Sequence, residues 1–222
     1  MPAVLASPLA YAAFTFLATA RTLQAIPVNT PPRPVVLVHG FHDTSLKLQP
    51  MAKYLRKNGW TVYTPTVTPG NAAEGLEKLA SQLEAYINQH CGKTEPIDLV
   101  GYSMGGIVSR YYIQRLGGAR RVKTFVTISS PHHGTWMGYL SGSRGAKEMR
   151  PRSEFLNDLN RDTGALQKLN FTSIWTPLDL MIIPAGSSHM DFGKEKLLWM
   201  PAHPLMVWSR TTMRAVAAAL RE

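Results

Sequence analysis

The chain has 222 residues, 45% of them apolar and 17% charged, which is the make-up of one folded domain and excludes a disordered or fibrous protein. A formal net charge of +10 suits an anionic partner, but the basic residues are scattered and carry no zinc-finger spacing, basic-region heptad or aromatic RNA-binding signature. Nucleic acid is therefore excluded as the expected partner, an anionic membrane surface is retained, and with Cys91 as the single cysteine the fold must hold without an intrachain disulfide.

Residues 3–20 are nearly all apolar or small, no charge occurs there before Arg21, and 26–34 is a Pro-rich linker. Such a run is a helix packed on the domain or lying at a membrane face, a signal or anchor, or a frayed tail; no Lys or Arg precedes it as a secretory signal requires. The expected organisation is an apolar segment and linker over 1–33 and a catalytic domain over 34–222. The expected location is membrane-associated or cytoplasmic, with export as the alternative.

From Val35 onward short β-branched runs alternate with helical stretches, the pattern of a mostly parallel sheet with helices on both faces. Val35–Val38 is apolar throughout, as a strand buried on both faces must be, and ends at His39-Gly40. A helix is predicted over 46–58, closed by Gly59, then a strand over 60–64. Leu76, Leu79, Leu83 and Ile87 recur at helical spacing and predict a helix over 74–90. Further elements are a strand over 97–100, a helix over 104–116 stopped by Gly117-Gly118, and a strand over 122–129. The pattern weakens over 134–170, apart from a short helix at 153–160, and reads as an excursion from the sheet. Strands at 172–175 and 196–199 and a closing helix over 206–220 complete the expected α/β architecture.

The segment Gly101-Tyr102-Ser103-Met104-Gly105 places Gly-x-Ser-x-Gly between a predicted strand and a predicted helix, the setting a nucleophile elbow requires. So sharp a turn leaves no room for side chains at its flanks, hence Gly101 and Gly105, while Ser103 projects at the edge of the sheet. The helix behind it offers free N–H groups to developing negative charge. Acyl transfer also needs two N–H donors for the oxyanion. Met104, next to the serine, supplies one, and Phe41, after the strand ending in His39-Gly40, supplies the other. His39 braces that loop and Gly40 lets its backbone pass close to the acyl group; with Tyr102 they are the expected substrate-side residues.

These segments resemble the small bacterial lipases of the α/β-hydrolase fold, relatives of the minimal Bacillus lipases. The resemblance rests on Val35-Val36-Leu37-Val38-His39-Gly40-Phe41, on Gly101-Tyr102-Ser103-Met104-Gly105-Gly106, on the Pro131-His132-His133-Gly134-Thr135 loop, and on Ser153-Glu154-Phe155-Leu156 with Leu159-Asn160. It runs from Pro34 through most of the chain and implies a metal-independent, cofactor-free ester hydrolase acting on acylglycerols or related lipids. Tyr102 stands where His is frequent in such lipases and Pro204 where Gly is common; these departures bear on substrate preference.

In this fold the acid and the base follow the serine in that order. Asp179 follows the predicted strand ending at Trp175 and precedes an apolar run and Ser187-Ser188, as the triad Asp does in the lipases the chain resembles; Asp191 is the alternative, and Asp158 and Asp162 lie in the excursion. His203 comes after the last predicted strand, where an imidazole can reach both partners; His189 is the alternative, while His132 and His133 shape the loop beside the pocket. Trp136, Met137, Tyr139, Leu140, Met149 and Phe155, set among Arg144, Lys147, Arg150 and Arg152, make the excursion either a lipid-docking flap or a loop that buries its apolar residues on the domain. The expectation is a monomeric serine hydrolase of lipid esters. Its rivals are a thioesterase or acyltransferase with the same triad and a non-catalytic lipid-binding module.

Overall fold

The computed structural model describes residues 32–222, so the expectation for the apolar N-terminal run lies outside the described residues. Strands β1 (Val35–Val38), β2 (Val62–Tyr63), β3 (Ile97–Tyr102), β4 (Val122–Ile128), β5 (Asn170–Trp175) and β6 (Lys194–Leu197) form one sheet in the order β2-β1-β3-β4-β5-β6, every pairing parallel. The helices are α1 (Gln49–Lys57), α2 (Leu76–His90), α3 (Met104–Arg115), α4 (Arg144–Glu148), α5 (Glu154–Arg161), α6 (Gly164–Gln167) and α7 (Arg210–Ala219).

Alternation along the strands divides the core in two. Val36, Val38, Ile97, Leu99 and Phe125 pack under α2 and α3. Val35, Leu37, Val100, Tyr102, Val126 and Ile128 pack on the other face against α1 and α7. Both layers are apolar because a parallel sheet needs crossover helices on its faces, which is why β1 reads as an unbroken apolar run. The exception is β6, exposed along its length and carrying Lys194, Glu195 and Lys196, charges that blunt an open sheet edge.

Several boundaries move for local reasons. The helix expected from 74 begins at Leu76 because Gly75 turns the chain at φ +95°, and Glu148 Oε2 accepts the Leu76 N–H at 2.6 Å. The helix expected over 206–220 divides: His203–Val207 is a 3-10 turn, and α7 starts afresh where Ser209 Oγ accepts from Thr211 N–H. The last strand ends at Leu197, leaving Trp199 outside the ladder and 72% exposed. The excursion holds more regular structure than the sequence suggests: the turn Trp136–Tyr139, then α4, α5 and α6. Thr135, Ser143 and Ser153 each cap one of these short pieces with a side-chain oxygen.

The order of strands reverses between β1 and β3. In an open parallel sheet the crevice beyond the carboxyl ends at such a switch is where ligands bind.

Candidate active site

That crevice is formed by the loops after β1 and β3. Ser103 sits in the turn from β3 to α3 at φ +52° and ψ −123°, a strained conformation of the kind that costs about 1–3 kcal/mol and is kept by its surroundings. The glycines show why the spacing is needed. A Cβ on Gly101 would lie 2.5 Å from Gly106 Cα, and one on Gly105 only 2.2 Å from the Val38 carbonyl oxygen. Gly106 is equally constrained, since its Cβ would meet Ser130 Oγ at 2.0 Å. The elbow thus packs directly onto β1 and the loop after β4.

The loop after β1 closes against the same turn. A Cβ at Gly40 would stand 3.2 Å from Ser103 Cβ, so this backbone passes as near the serine as contact distance permits. His39 is wholly buried; its Nδ1 bonds the Gly40 carbonyl at 2.9 Å and its Nε2 accepts the Val67 N–H at 3.1 Å. Burial lowers its pKa, so the ring is a neutral brace. Outside the helix and strand ladders, neither the Phe41 nor the Met104 N–H donates a hydrogen bond among the described residues.

Asp179, in the loop after β5, and His203, opening the turn after β6, meet with Nδ1 to Oδ2 at 2.7 Å, both side chains almost fully buried. The other oxygen, Oδ1, accepts the N–H groups of Met181 and Ile182 at 2.9 Å each. Burial would raise the carboxyl pKa, but the hydrogen bond and charge of His203 and those two amides outweigh it, and the group lies below its usual range. An ionised Asp179 can only accept, so His203 Nδ1 carries the hydrogen of this bond. Among the described residues no hydrogen bond joins Ser103 to His203, so the structure assembles Asp179 with His203 and the Phe41 loop with Ser103 as two adjoining pairs.

The alternative acids and bases are engaged elsewhere. Asp158 and Asp162 both pair with Arg115 at 2.9 Å, and His189 lies between Glu195 at 2.8 Å and Asp191 at 3.4 Å on an exposed surface. His132 is fully buried beside Arg110 with Nε2 3.1 Å from Thr127 Oγ1, and His133 is half-buried with its N–H on Ser187.

A cavity of about 260 Å³ opens beside Ser103. Phe41 and Ser103 line it, and its wall is completed by Met137, Met149, Met181 and Ile182. His39, Gly40 and Tyr102, expected on the substrate side, are not among the residues that line this cavity. Tyr102 is buried with its ring 4.9 Å from that of His203, and its hydroxyl donates to the His203 carbonyl at 3.3 Å. At the end of β3 the Tyr102 side chain packs on the α1 and α7 face, in the cluster that holds Met206 and Val207 of the His203 turn.

Two features of the frame were not read from the sequence. Thr135 Oγ1 donates to Met181 O at 2.8 Å and accepts from Ile183 N–H at 3.0 Å, tying the loop after β4 to the Asp179 loop. Arg110, buried without a carboxylate partner, donates to Leu159 O, Asn160 Oδ1 and His132 O. Burial lowers its pKa to about 9, with the charge of Arg115 adding to the effect. The Leu159-Asn160 pair thus holds the Pro131–Thr135 loop, but a lone Arg in a helix gives no sequence sign of that duty.

The model of the palmitoyl protein thioesterase family matches residues 34–143. A lysosomal thioesterase PPT2 homolog of Drosophila melanogaster is 31% identical over 120 residues, which cover 52% of this chain and 41% of that protein. A triacylglycerol lipase of Burkholderia plantarii is 31% identical over 139 residues, 59% of this chain and 35% of the lipase. The chain thus spans less than half the length of these relatives. Among solved structures, the mature form of Bacillus licheniformis lipase BlEst2 matches at a TM-score of 0.69 and 18% identity, covering 87% of this chain and 95% of that one. An extracellular alpha/beta-hydrolase from a Paenibacillus species matches at 0.64 and 18% identity, covering 86% of this chain and 100% of that one.

Proposed function

We propose that this chain, which has the α/β-hydrolase fold, is a serine hydrolase that cleaves carboxylic esters of lipids through an acyl-enzyme. The observation that carries the reading is the buried Asp179–His203 pair set at the same sheet edge as a strained serine that opens on an apolar cavity.

In this reading Ser103 Oγ attacks the ester carbonyl as His203 Nε2 takes its proton, and the oxyanion is met by the N–H groups of Phe41 and Met104. The imidazolium then protonates the leaving alcohol as the C–O bond breaks, and a water repeats the cycle to release the acid. Asp179 fixes the imidazole and offsets its charge; it does not take the proton. The acyl chain lies among Met137, Met149, Met181 and Ile182. Since ligand cavities commonly run from about 300 to 1,000 Å³, one of about 260 Å³ favours short and medium chains. No cofactor enters the cycle. Labelling by a fluorophosphonate tests the nucleophile: wild type reacts, Ser103→Ala does not, and equal ester hydrolysis by that variant would refute the reading.

A thioesterase is the second reading, favoured by the family match over 34–143 and by the Drosophila relative. Matched oxygen esters and thioesters of one acyl chain separate the two by their ratio of kcat/KM.

The partner surface is proposed from exposure. Trp136 and Leu140 after β4, Leu180 and Ile183 after β5, and Trp199 and Leu205 after β6 are exposed on loops that follow the carboxyl ends of the strands. Apolar side chains gathered on one edge suit contact with lipid. Within the excursion Met149 and Leu156 are buried on the domain, while Trp136, Tyr139 and Leu140 are exposed and available for such contact.

A further inference from the structure

The turn Trp136–Tyr139 has two sides. Met137 and Gly138 face the catalytic cavity, whereas Trp136 and Tyr139 face a second, shallow cleft of about 550 Å³. This cleft is lined on its remaining sides by His133, Pro151, Arg152 and Ser187, and none of its lining residues is acidic. The aromatic pair is stacked with ring centroids 5.4 Å apart, and Trp136 and Tyr139 are 58% and 50% exposed. Arg150 secures the platform from behind: its guanidinium lies 4.5 Å from the Tyr139 ring centroid and donates to Gly138 O at 3.0 Å.

The other arginines of the excursion are engaged: Arg144 is bound by Glu77 and Glu148, Arg150 donates to Gly138 O and Ser141 O, and Arg161 donates to Asn157 O. The Arg152 guanidinium has neither a hydrogen bond nor an ion pair among the described residues, though its carbonyl accepts from Asn157 Nδ2 at 3.1 Å. Its backbone stands at φ +63°, a region that disfavours every side chain but that of glycine and, less so, asparagine and aspartate. A strained residue thus delivers an unpaired guanidinium to the mouth of an exposed aromatic cleft.

A guanidinium suits phosphate through paired N–H donors, and exposed Trp and Tyr settle at the head-group level of a bilayer. We propose that this cleft binds the phosphate of an anionic phospholipid at a bilayer surface, with Arg152 as its cation and Trp136 and Tyr139 as its aromatic wall. The proposal rests on the reading that this edge of the sheet faces lipid, and it adds a head-group site distinct from the acyl cavity on the opposite side of the same turn.

The test measures binding apart from hydrolysis. In a Ser103→Ala background, co-sedimentation with phosphatidylglycerol vesicles is compared for the parent, Arg152→Gly, Trp136→Ala and Lys123→Gln, the last an exposed lysine at the start of β4. Glycine accepts the backbone at position 152, so that variant keeps its fold, which its Tm verifies. The expected result is a loss of about fivefold in partition for Arg152→Gly on phosphatidylglycerol, a smaller loss on phosphatidylcholine, whose phosphate charge is offset by choline, and under about twofold for Lys123→Gln. Trp136→Ala is expected to lose binding on both lipids. Equal binding by Arg152→Gly and parent, an equal loss in Lys123→Gln, or full displacement of the protein by millimolar inorganic phosphate on its own would overturn the assignment. Hydrolysis of soluble p-nitrophenyl butyrate by Arg152→Gly with Ser103 restored is expected to match wild type. If wild type itself fails to cleave that ester, the esterase reading falls while the vesicle result still stands or falls on its own.

Discussion

The serine elbow and the excursion after β4 both shape the cavity, but they are held by different kinds of force. At the elbow everything is local and steric: Gly101, Gly105 and Gly106 are there because a single added carbon would sit 2.0–2.5 Å from a neighbouring atom. The excursion is held at a distance, by Arg110 reaching Leu159 and Asn160, by Glu148 capping α2, and by Thr135 stitching two loops. The first kind of constraint admits few residues and leaves a spacing; the second admits any polar group that satisfies the partner and leaves none.

Substitutions can separate the two regimes. The largest effect is expected at the pair that neither regime alone explains, since Asp179 and His203 come from loops after different strands. Asp179→Asn should lower kcat by about 10⁴-fold with the fold intact, because an amide favours the wrong imidazole tautomer. Stopped-flow ester hydrolysis reads this, and a loss under tenfold would remove Asp179 from the role proposed for it. Gly105→Ala is next: with its Cβ 2.2 Å from the Val38 carbonyl, the strand and helix must part, and a loss of stability of about 3 kcal/mol or more is expected together with loss of activity. Arg110→Met should cost about 1–2 kcal/mol by leaving Asn160 Oδ1 without its donor and taking one of two donors from each of the Leu159 and His132 carbonyls, which keep Gln114 Nε2 and Asn160 Nδ2. Its soluble-ester activity should fall far less than its stability in urea. If Arg110→Met abolished activity at full stability, the division between local and long-range support would be wrong.

The same division explains what could be read in advance. The parallel sheet, the elbow and the loop after β1 follow from alternation, Gly spacing and chain order, because each depends on neighbours a few residues away. Asp179 and His203 stand out by chain order and position relative to strands, Asp179 also by the resemblance to small lipases, and the structure brings the two side chains together although 24 residues separate them. The wall of the cavity was not readable as such: Met181 and Ile182 look like any apolar run until the Asp179 turn faces them toward Ser103. The α4 and α6 helices were missed because five- and four-residue helices carry too few turns to show a period.

His132 offers a smaller and pH-dependent contrast. Burial foremost, then the charges of Arg110 and His133, lowers its pKa well below 6.5. The folded state therefore keeps it neutral while the unfolded chain takes up a proton as pH falls through 6.5. Stability is complete above that value and declines below it, by at most about 1.4 kcal/mol per pH unit from this group. His132→Asn should be less stable at pH 8 yet show a shallower fall in Tm between pH 7 and 5. Parallel Tm curves would mean that the ring titrates alike in both states. His39, lowered by burial as well, contributes the same sign and is common to both proteins.

Tyr102→Phe probes the smallest effect, where the residue before the serine touches His203. Its ring would keep the contact with His203 at 4.9 Å, so only the hydroxyl bond of 3.3 Å to the His203 carbonyl is lost. Burial, with the Asp43 and Asp179 charges, raises this phenol's pKa, so it remains a donor throughout the working pH range. A neutral hydrogen bond of that length is worth about 0.5–1 kcal/mol, hence a fall of roughly two- to fivefold in kcat with KM unchanged if it positions the imidazole. A substrate-contacting Tyr102 would instead raise KM and leave kcat alone. The split between the two parameters therefore decides whether this residue supports the histidine turn, as its burial indicates, or meets the ester itself.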